Sequence, residues 1–377
     1  AGRYDEAVTD FTTALEHDPT DAWALASRGQ AHRAAGRYDQ AVTDLTTALE
    51  HDPSLHWALT SRGEAHLLAG RYDEAVTDFT TALEHDPTDA WALASRGQAH
   101  RAAGRYDQAV TDLTTALEHD PNLHWALTWR GEAHRLAGRY DQAVTDFTTA
   151  LDHDPTDAWT LASRGQAHRA AGRYDQAVTD LTTALEHDPN LHWALTWRGE
   201  AHRLAGRYDE AVTDFTTALE HDPTDAWTLA SRGQAHRAAG RYDLAAEDLD
   251  RACAAEPDDP DWLFERILLE TLVSGLASCQ ERWNAFFYTA VGTRDEGETT
   301  PYPVFQALFL EPRTDPATAC HAFLTTSPNQ DSVTKLLGHL NELFSTDGDL
   351  ADRAHQYHQF ILDRTTRWHQ QHQPRTA

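Results

Sequence analysis

The string AGRYD returns at Ala1, Ala35, Ala69, Ala103, Ala137, Ala171, Ala205 and Ala239, always 34 residues apart. A fixed period of this length confines the chain to stacked supersecondary units, because one unit is too small to bury its own apolar face. Two versions of the unit alternate. One reads DPTDAWALASRGQAHRA and the other, in its later copies, DPNLHWALTWRGEAHRL, so the true repeat is a 68-residue pair. Residues 103–170 and 171–238 differ only at Gln142 against Glu210 and Asp152 against Glu220. Near identity of this kind implies recent duplication, and it makes neighbouring units present nearly the same surface.

Each unit reads as two helices. The first spans about Ala22 to Ala35, opened after Pro19 by Thr20 or Asp21 as a cap and closed by Gly36, a residue type that tolerates a left-handed backbone. The second spans about Tyr38 to His51, and Pro53 stops it. Small Gly29, Ala31, Ala41 and Ala48 fall where two helices must approach closely. Leu25, Val42, Leu45 and Leu49 supply an apolar stripe at helical spacing.

The period, the paired helices and this residue order resemble the tetratricopeptide repeat family. The family's small residues fall on Gly29, Ala41 and Ala48, its inter-helix aromatic on Tyr38 and its closing proline on Pro53. Three positions depart from the pattern: Leu25 stands for a Trp, Arg28 for a Leu and His32 for a Tyr, which predicts a more polar core within each repeat. The resemblance implies an all-α fold, a right-handed superhelical α-solenoid of 34-residue helix-turn-helix repeats, with first helices lining a concave groove. About seven and a half repeats fill residues 1–257, and residues 258–377 form a helical cap and a small C-terminal helical domain.

Family geometry puts six positions of the first helix on the groove. The second is always Trp, at Trp23, Trp57, Trp91, Trp125, Trp159, Trp193 and Trp227, and the sixth adds Trp129 and Trp197. The ninth alternates Gln30, Gln98, Gln166 and Gln234 with Glu64, Glu132 and Glu200. The twelfth is Arg33, Arg101, Arg135, Arg169, Arg203 and Arg237, a row broken only by Leu67. Trp and Arg most often anchor protein interfaces, so this ladder suits an extended peptide or a helical surface. Two roles stay open for the Trp: ligand contact, or packing between neighbouring first helices. Arg28 and its equivalents are expected to be structural, paired to a nearby acidic residue. The acidic outer positions Asp39, Asp44 and Glu50 are expected to be solvated.

The formal charge is −29, from 31 basic against 60 acidic residues, which argues against nucleic acid or an anionic membrane as partner. Of the basic residues only Lys335 is Lys, and Met is absent, a bias that suggests a GC-rich bacterial genome. Cys253, Cys279 and Cys320 are sparse and form no CxxC pair, which fits reduced cytoplasmic thiols. No apolar run is long enough to span a bilayer. The chain begins inside a motif, so a longer protein is expected around it.

No catalytic site, metal site or cofactor is predicted. The 23 His include two periodic sets, around His32 and His51, whose members are a repeat apart and do not converge on one ion. Protonating every His would move the formal charge from −29 to −6, since 23 charges are gained, so pH sensitivity is conceivable. No Walker loop, GxSxG elbow or dinucleotide fingerprint is present. Cys320 and His321 are adjacent, so on a helix they point about 100° apart and cannot pair as nucleophile and base.

Beyond Pro257 the sequence is unique but helical in character. Helices are expected over Asp261–Val273, Ala277–Val291, Val304–Leu310, Asp315–Thr325, Gln330–Phe344 and Leu350–His369, with a polar loop over Thr293–Pro303. The first two read as a cap that seals the array with Trp262, Phe264, Trp283 and Phe287. The expected function is a cytoplasmic scaffold binding a protein or peptide in the groove. Such arrays also resemble the sensor arms of large bacterial signalling and defence ATPases. The rivals are a structural spacer that self-associates and an enzyme-bearing C-terminal domain.

Overall fold

A computed structural model describes residues 2–290 and, beyond them, 305–306, 308–309, 336–341, 343, 350–359 and 361. Among the described residues all regular structure is helical, and the chain divides into two compact units. The first, residues 1–171, holds α1 (Gly2–His17), α2 (Ala22–Ala34), α3 (Tyr38–His51), α4 (His56–Leu68), α5 (Tyr72–His85), α6 (Ala90–Ala102), α7 (Tyr106–His119), α8 (His124–Leu136), α9 (Tyr140–His153) and α10 (Ala158–Ala170). The second, residues 172–377, holds α11 (Tyr174–His187), α12 (His192–Leu204), α13 (Tyr208–His221), α14 (Ala226–Ala238), α15 (Tyr242–Ala255), α16 (Pro260–Ser274) and α17 (Leu276–Ala290). Residues 336–341 and 350–359 are also helical, inside the expected Gln330–Phe344 and Leu350–His369. The expected helix Asp315–Thr325, the loop Thr293–Pro303 and the pair Cys320–His321 lie outside the described residues.

The local chemistry explains the helix pairs. Asp21 caps α2, its carboxylate accepting the N–H groups of Trp23 at 3.0 Å and Ala24 at 3.1 Å. Gly36, at φ 76°, makes the turn into α3 that a side chain would strain. Ala41, Leu45 and Ala48 of α3 are buried with Ala24, Leu25 and Ala26 of α2 and Ala58 and Ala65 of α4. The core is rich in Ala because the helices lie close. A Cβ on Gly29 would stand 2.7 Å from Leu45 Cγ. In the alternate repeat Phe79 takes the place of Leu45, and a Cβ on Gly63 would meet its ring at 2.8 Å.

The polar substitutions inside the repeat are paired. Arg28 donates from Nε and Nη2 to the two carboxylate oxygens of Asp44, each at 2.7 Å, and from Nη1 to Thr12 of the preceding helix pair. This is the acidic partner expected for Arg28. Asp44 itself is only 8% exposed, so it is not part of a solvated outer face. Asp39 is exposed but receives Arg71 at 2.6 Å, a clamp between successive second helices. Glu50 is exposed, as expected.

The end of the second unit departs from the expected cap. Trp262 and Leu269 of α16 do join the repeat core of Leu229, Ala245 and Leu249. Phe264, Trp283 and Phe287 instead build a separate cluster with Phe305, Phe309, Leu336 and Leu340. One face of α16 therefore seals the array, and another belongs to the C-terminal helices.

Candidate binding face of the first helices

In the first unit the second-position Trp of α2, α4, α6, α8 and α10 stand along the first helices, and their exposure differs. Trp23, Trp57, Trp91 and Trp159 are exposed, whereas Trp125 and Trp129 are partly buried against the cluster of Leu93 and Ala126. Neighbouring rings touch. Trp91 and Trp125 are 5.2 Å apart in an edge-on arrangement, and Trp129 and Trp159 are 5.1 Å apart and tilted. Trp23 meets Phe11 of α1 at 6.0 Å. Contact between helices and exposure to water therefore coexist along this row.

The charged rows interlock with the rings. Arg33 pairs with Glu64 at 2.5 Å, and Glu64 also accepts the indole N–H of Trp91 at 2.7 Å. One 68-residue step later the same Arg position behaves differently. Arg101 lies over the ring of Trp129, 4.6 Å from its centroid, and Glu132 is taken instead by Arg135 on its own helix at 2.8 Å. Two substitutions in α4 account for the switch. Ser61 stands where Trp129 stands and Leu67 where Arg135 stands, so Arg33 has no ring to cover and Glu64 has no Arg three residues further along its helix, Arg62 being held by Asp78. Gln30 reaches into the vacated space and donates to Ser61 at 2.9 Å. Burial holds the Arg101 pKa below its ordinary value, against the opposing pull of Glu132.

The missing ring at Ser61 opens a shallow cleft of about 500 Å³, lined by Gln30, Arg33, Trp57, Ser61, Glu64 and Trp91 and reaching His56 and His85. The rings of His56 and His85 stack at 3.7 Å, those of His124 and His153 at 3.5 Å. Neither stack was foreseen. Each joins the start of a first helix to the end of its own second helix, and the signal was present in the recurrence of LHW opposite HDP. Among the described residues no group of three or more metal-ligating side chains is assembled.

In the second unit Trp193 and Trp197 of α12 and Trp227 of α14 continue the pattern, with Trp197 and Trp227 5.1 Å apart. Arg203 pairs with Glu200 at 2.6 Å. Glu132 and Glu200 are buried beneath their Arg partners and do not stand open on the face. Arg237 differs from the rest of its row. It is 4% exposed and pairs with fully buried Glu265 of α16 at 2.6 Å, so it is not available to a ligand. Gln234 donates to the same carboxylate at 2.9 Å, and His339 Nε2 lies 3.0 Å from it. Arg169 is partly buried at the end of α10.

Family models described as tetratricopeptide repeat match residues 1–45, 27–90 and 163–226, residues 66–129 and 202–263, and residues 122–190. No curated protein matches. Among solved structures, a tetratricopeptide repeat protein from Parabacteroides merdae is 19% identical with a TM-score of 0.54, covering 66% of this chain and 99% of that one. The Cut9 and Hcn1 hetero-tetramer of the APC/C is 17% identical with a TM-score of 0.55, covering 71% and 52%. PilW, described as a widely conserved type IV pilus biogenesis factor, is 20% identical with a TM-score of 0.51, covering 55% and 96%. At these identities the likeness is one of fold.

Proposed function

Because the chain belongs to the tetratricopeptide-repeat family, whose fold is a scaffold for protein–protein contact, we propose that it binds a peptide or protein partner along its first-helix face. Each unit carries its own stretch of this face: Trp23, Trp57, Trp91, Trp125, Trp129 and Trp159 with Arg33, Arg101, Arg135 and Arg169 in the first, and Trp193, Trp197 and Trp227 with Arg203 in the second. Residues 1–257 are the binding array in this reading, and residues 258–377 cap it and form a small helical domain.

One observation carries the reading. Trp91 is 49% exposed on a helix whose Ala92, Leu93 and Ala94 are buried, and the same contrast recurs at Trp23, Trp57 and Trp159. Large aromatic surface left in water at regular intervals is what a partner removes from water. No helix of the described residues is long and apolar enough to cross a membrane.

The test is a pull-down from bacterial lysate with the chain and with a variant carrying Trp125, Trp129, Trp193 and Trp197 changed to Ala, both checked for fold by circular dichroism. A partner lost only with the variant supports the face. Equal recovery from both, and from a second variant carrying Trp23, Trp57, Trp91 and Trp159 changed to Ala, overturns it. The finer reading of a sensing arm in a signalling ATPase rests on the near-identical repeats, and a full-length gene without a nucleotide-binding region removes it.

A further inference from the structure

We infer that the first-helix face of α6, α8 and α10 takes a proline-rich segment in an extended polyproline conformation. The inference rests on the proposed partner-binding face and names the chemistry of its occupant. It starts from the balance of hydrogen-bonding groups. Trp91 gives its indole N–H to Glu64, but Trp125, Trp129 and Trp159 give theirs to no group among the described residues. Arg101 spends its guanidinium against the ring of Trp129. The carboxylates, by contrast, are occupied: Glu64 by Arg33 and Trp91, Glu132 by Arg135. The face offers donors and flat apolar rings, and its anions are already neutralised.

A complementary ligand is rich in acceptors, poor in donors and flat. Proline-rich chain has these properties together. Proline lacks an N–H, its ring packs flat on an aromatic, and the polyproline helix leaves every carbonyl free to accept. The paired charges also argue against a strongly charged ligand, which would have to compete with ion pairs already formed on the face.

The test uses the full chain and a fluorescent polyproline peptide of about 12 residues, enough for roughly four turns. A Gly-Ser peptide and an oligo-glutamate peptide of equal length serve as controls, and binding is read by anisotropy. Polyproline binding is expected to exceed both controls, to shift the tryptophan emission of the unaltered protein, and to change little between roughly 0.1 and 0.5 M salt. Trp125→Ala and Trp129→Ala are each expected to weaken it about tenfold, and Trp129→Phe, which keeps a ring but loses the N–H, by less. Absence of polyproline binding, binding indifferent to these Trp, or salt-sensitive preference for oligo-glutamate each overturns the inference. If a lysate partner still depends on Trp125 and Trp129 while polyproline does not bind, the binding face stands and only its proline chemistry falls. If nothing depends on them or on Trp23, Trp57, Trp91 and Trp159, both fall.

Discussion

Arg130 of α8 donates from Nε and Nη2 to the two carboxylate oxygens of Asp146 of α9, at 2.9 and 2.6 Å, tying together the two helices of one repeat. Asp146 is 6% exposed, so removing its charge leaves the Arg130 guanidinium with only the Thr114 hydroxyl as partner. Asp146→Asn is expected to cost about 2 kcal/mol, since charge-assisted hydrogen bonds at a largely buried pair are lost. Replacing both members, as Arg130→Met with Asp146→Leu, should recover most of that loss. Urea unfolding midpoints of the single and double variants decide it. A double variant as unstable as the single one would show that the pair adds stability beyond its own desolvation.

The period made the helix pairs legible, and α3 occupies the expected Tyr38–His51 because every local signal agrees there: Gly36 before it, alanines on one face and Pro53 after it. The Arg28 and Asp44 pair was legible only in part. Both residues are invariant across most repeats, so nothing varied to mark Asp44 as the partner or to show that it is buried. The behaviour of the groove row was hidden for a different reason. Whether Arg33 turns to Glu64 or Arg101 to a ring depends on residue 61 or 129 in the following repeat, 28 residues away, which no local period encodes. Two coupled deviations in one helix, Ser61 and Leu67, were the available signal. At the C-terminal end, Phe264 and Trp262 are two residues apart on one helix and enter different cores, because α16 faces both the array and the C-terminal helices.

Stability should fall on mild acidification. Burial, the largest influence, together with Arg139 and Arg130 holds the His134 imidazole below its ordinary 6.5, against Asp146 and Asp107, which raise it. His202 is placed likewise, and accepts the N–H of Arg207 at Nδ1, 3.0 Å away, which requires a neutral ring. A depressed folded-state pKa means that the unfolded chain takes up protons that the folded one refuses. The stability these sites contribute is therefore complete above 6.5 and is lost as pH falls through the folded-state values. The melting temperature should be lower at about pH 5.5 than at about pH 7.5, and the difference should shrink in a His134→Gln, His202→Gln variant. Equal melting temperatures at both would remove the effect.

Close helix approach predicts an unusual sign for a Gly-to-Ala change. In an exposed helix such a change stabilises by about 1 kcal/mol. At Gly131 the new Cβ would stand 2.7 Å from the fully buried ring of Phe147, which has no room to move. Gly131→Ala is therefore expected to destabilise by about 1–3 kcal/mol in spite of its propensity. At Gly233 the nearest atom is Leu249 Cγ at 3.1 Å, so Gly233→Ala should cost much less. Chemical denaturation of the two variants side by side measures the contrast, and an equal effect at both would show that the phenylalanine ring yields.

Glu265 is the node on which the last repeat and the C-terminal helices meet. It is fully buried, and Arg237, Gln234 and His339 approach its carboxylate from α14 and from the helical residues 336–341. A buried carboxylate with a buried guanidinium beside it is costly to break. Glu265→Gln leaves Arg237 charged and uncompensated, at a cost of about 3 kcal/mol or more. The change should loosen both attachments at once. Backbone hydrogen exchange is expected to quicken in residues 336–341 as well as in α14, while α11 and α12 keep their protection, because repeat arrays transmit strain mainly to their neighbours. His339→Phe separates the two halves of the node: it spares the Arg237 pair and should quicken exchange in 336–341 alone. Unchanged exchange in 336–341 after Glu265→Gln would mean that apolar contacts with Phe264 and Phe305 hold the C-terminal helices without the polar node.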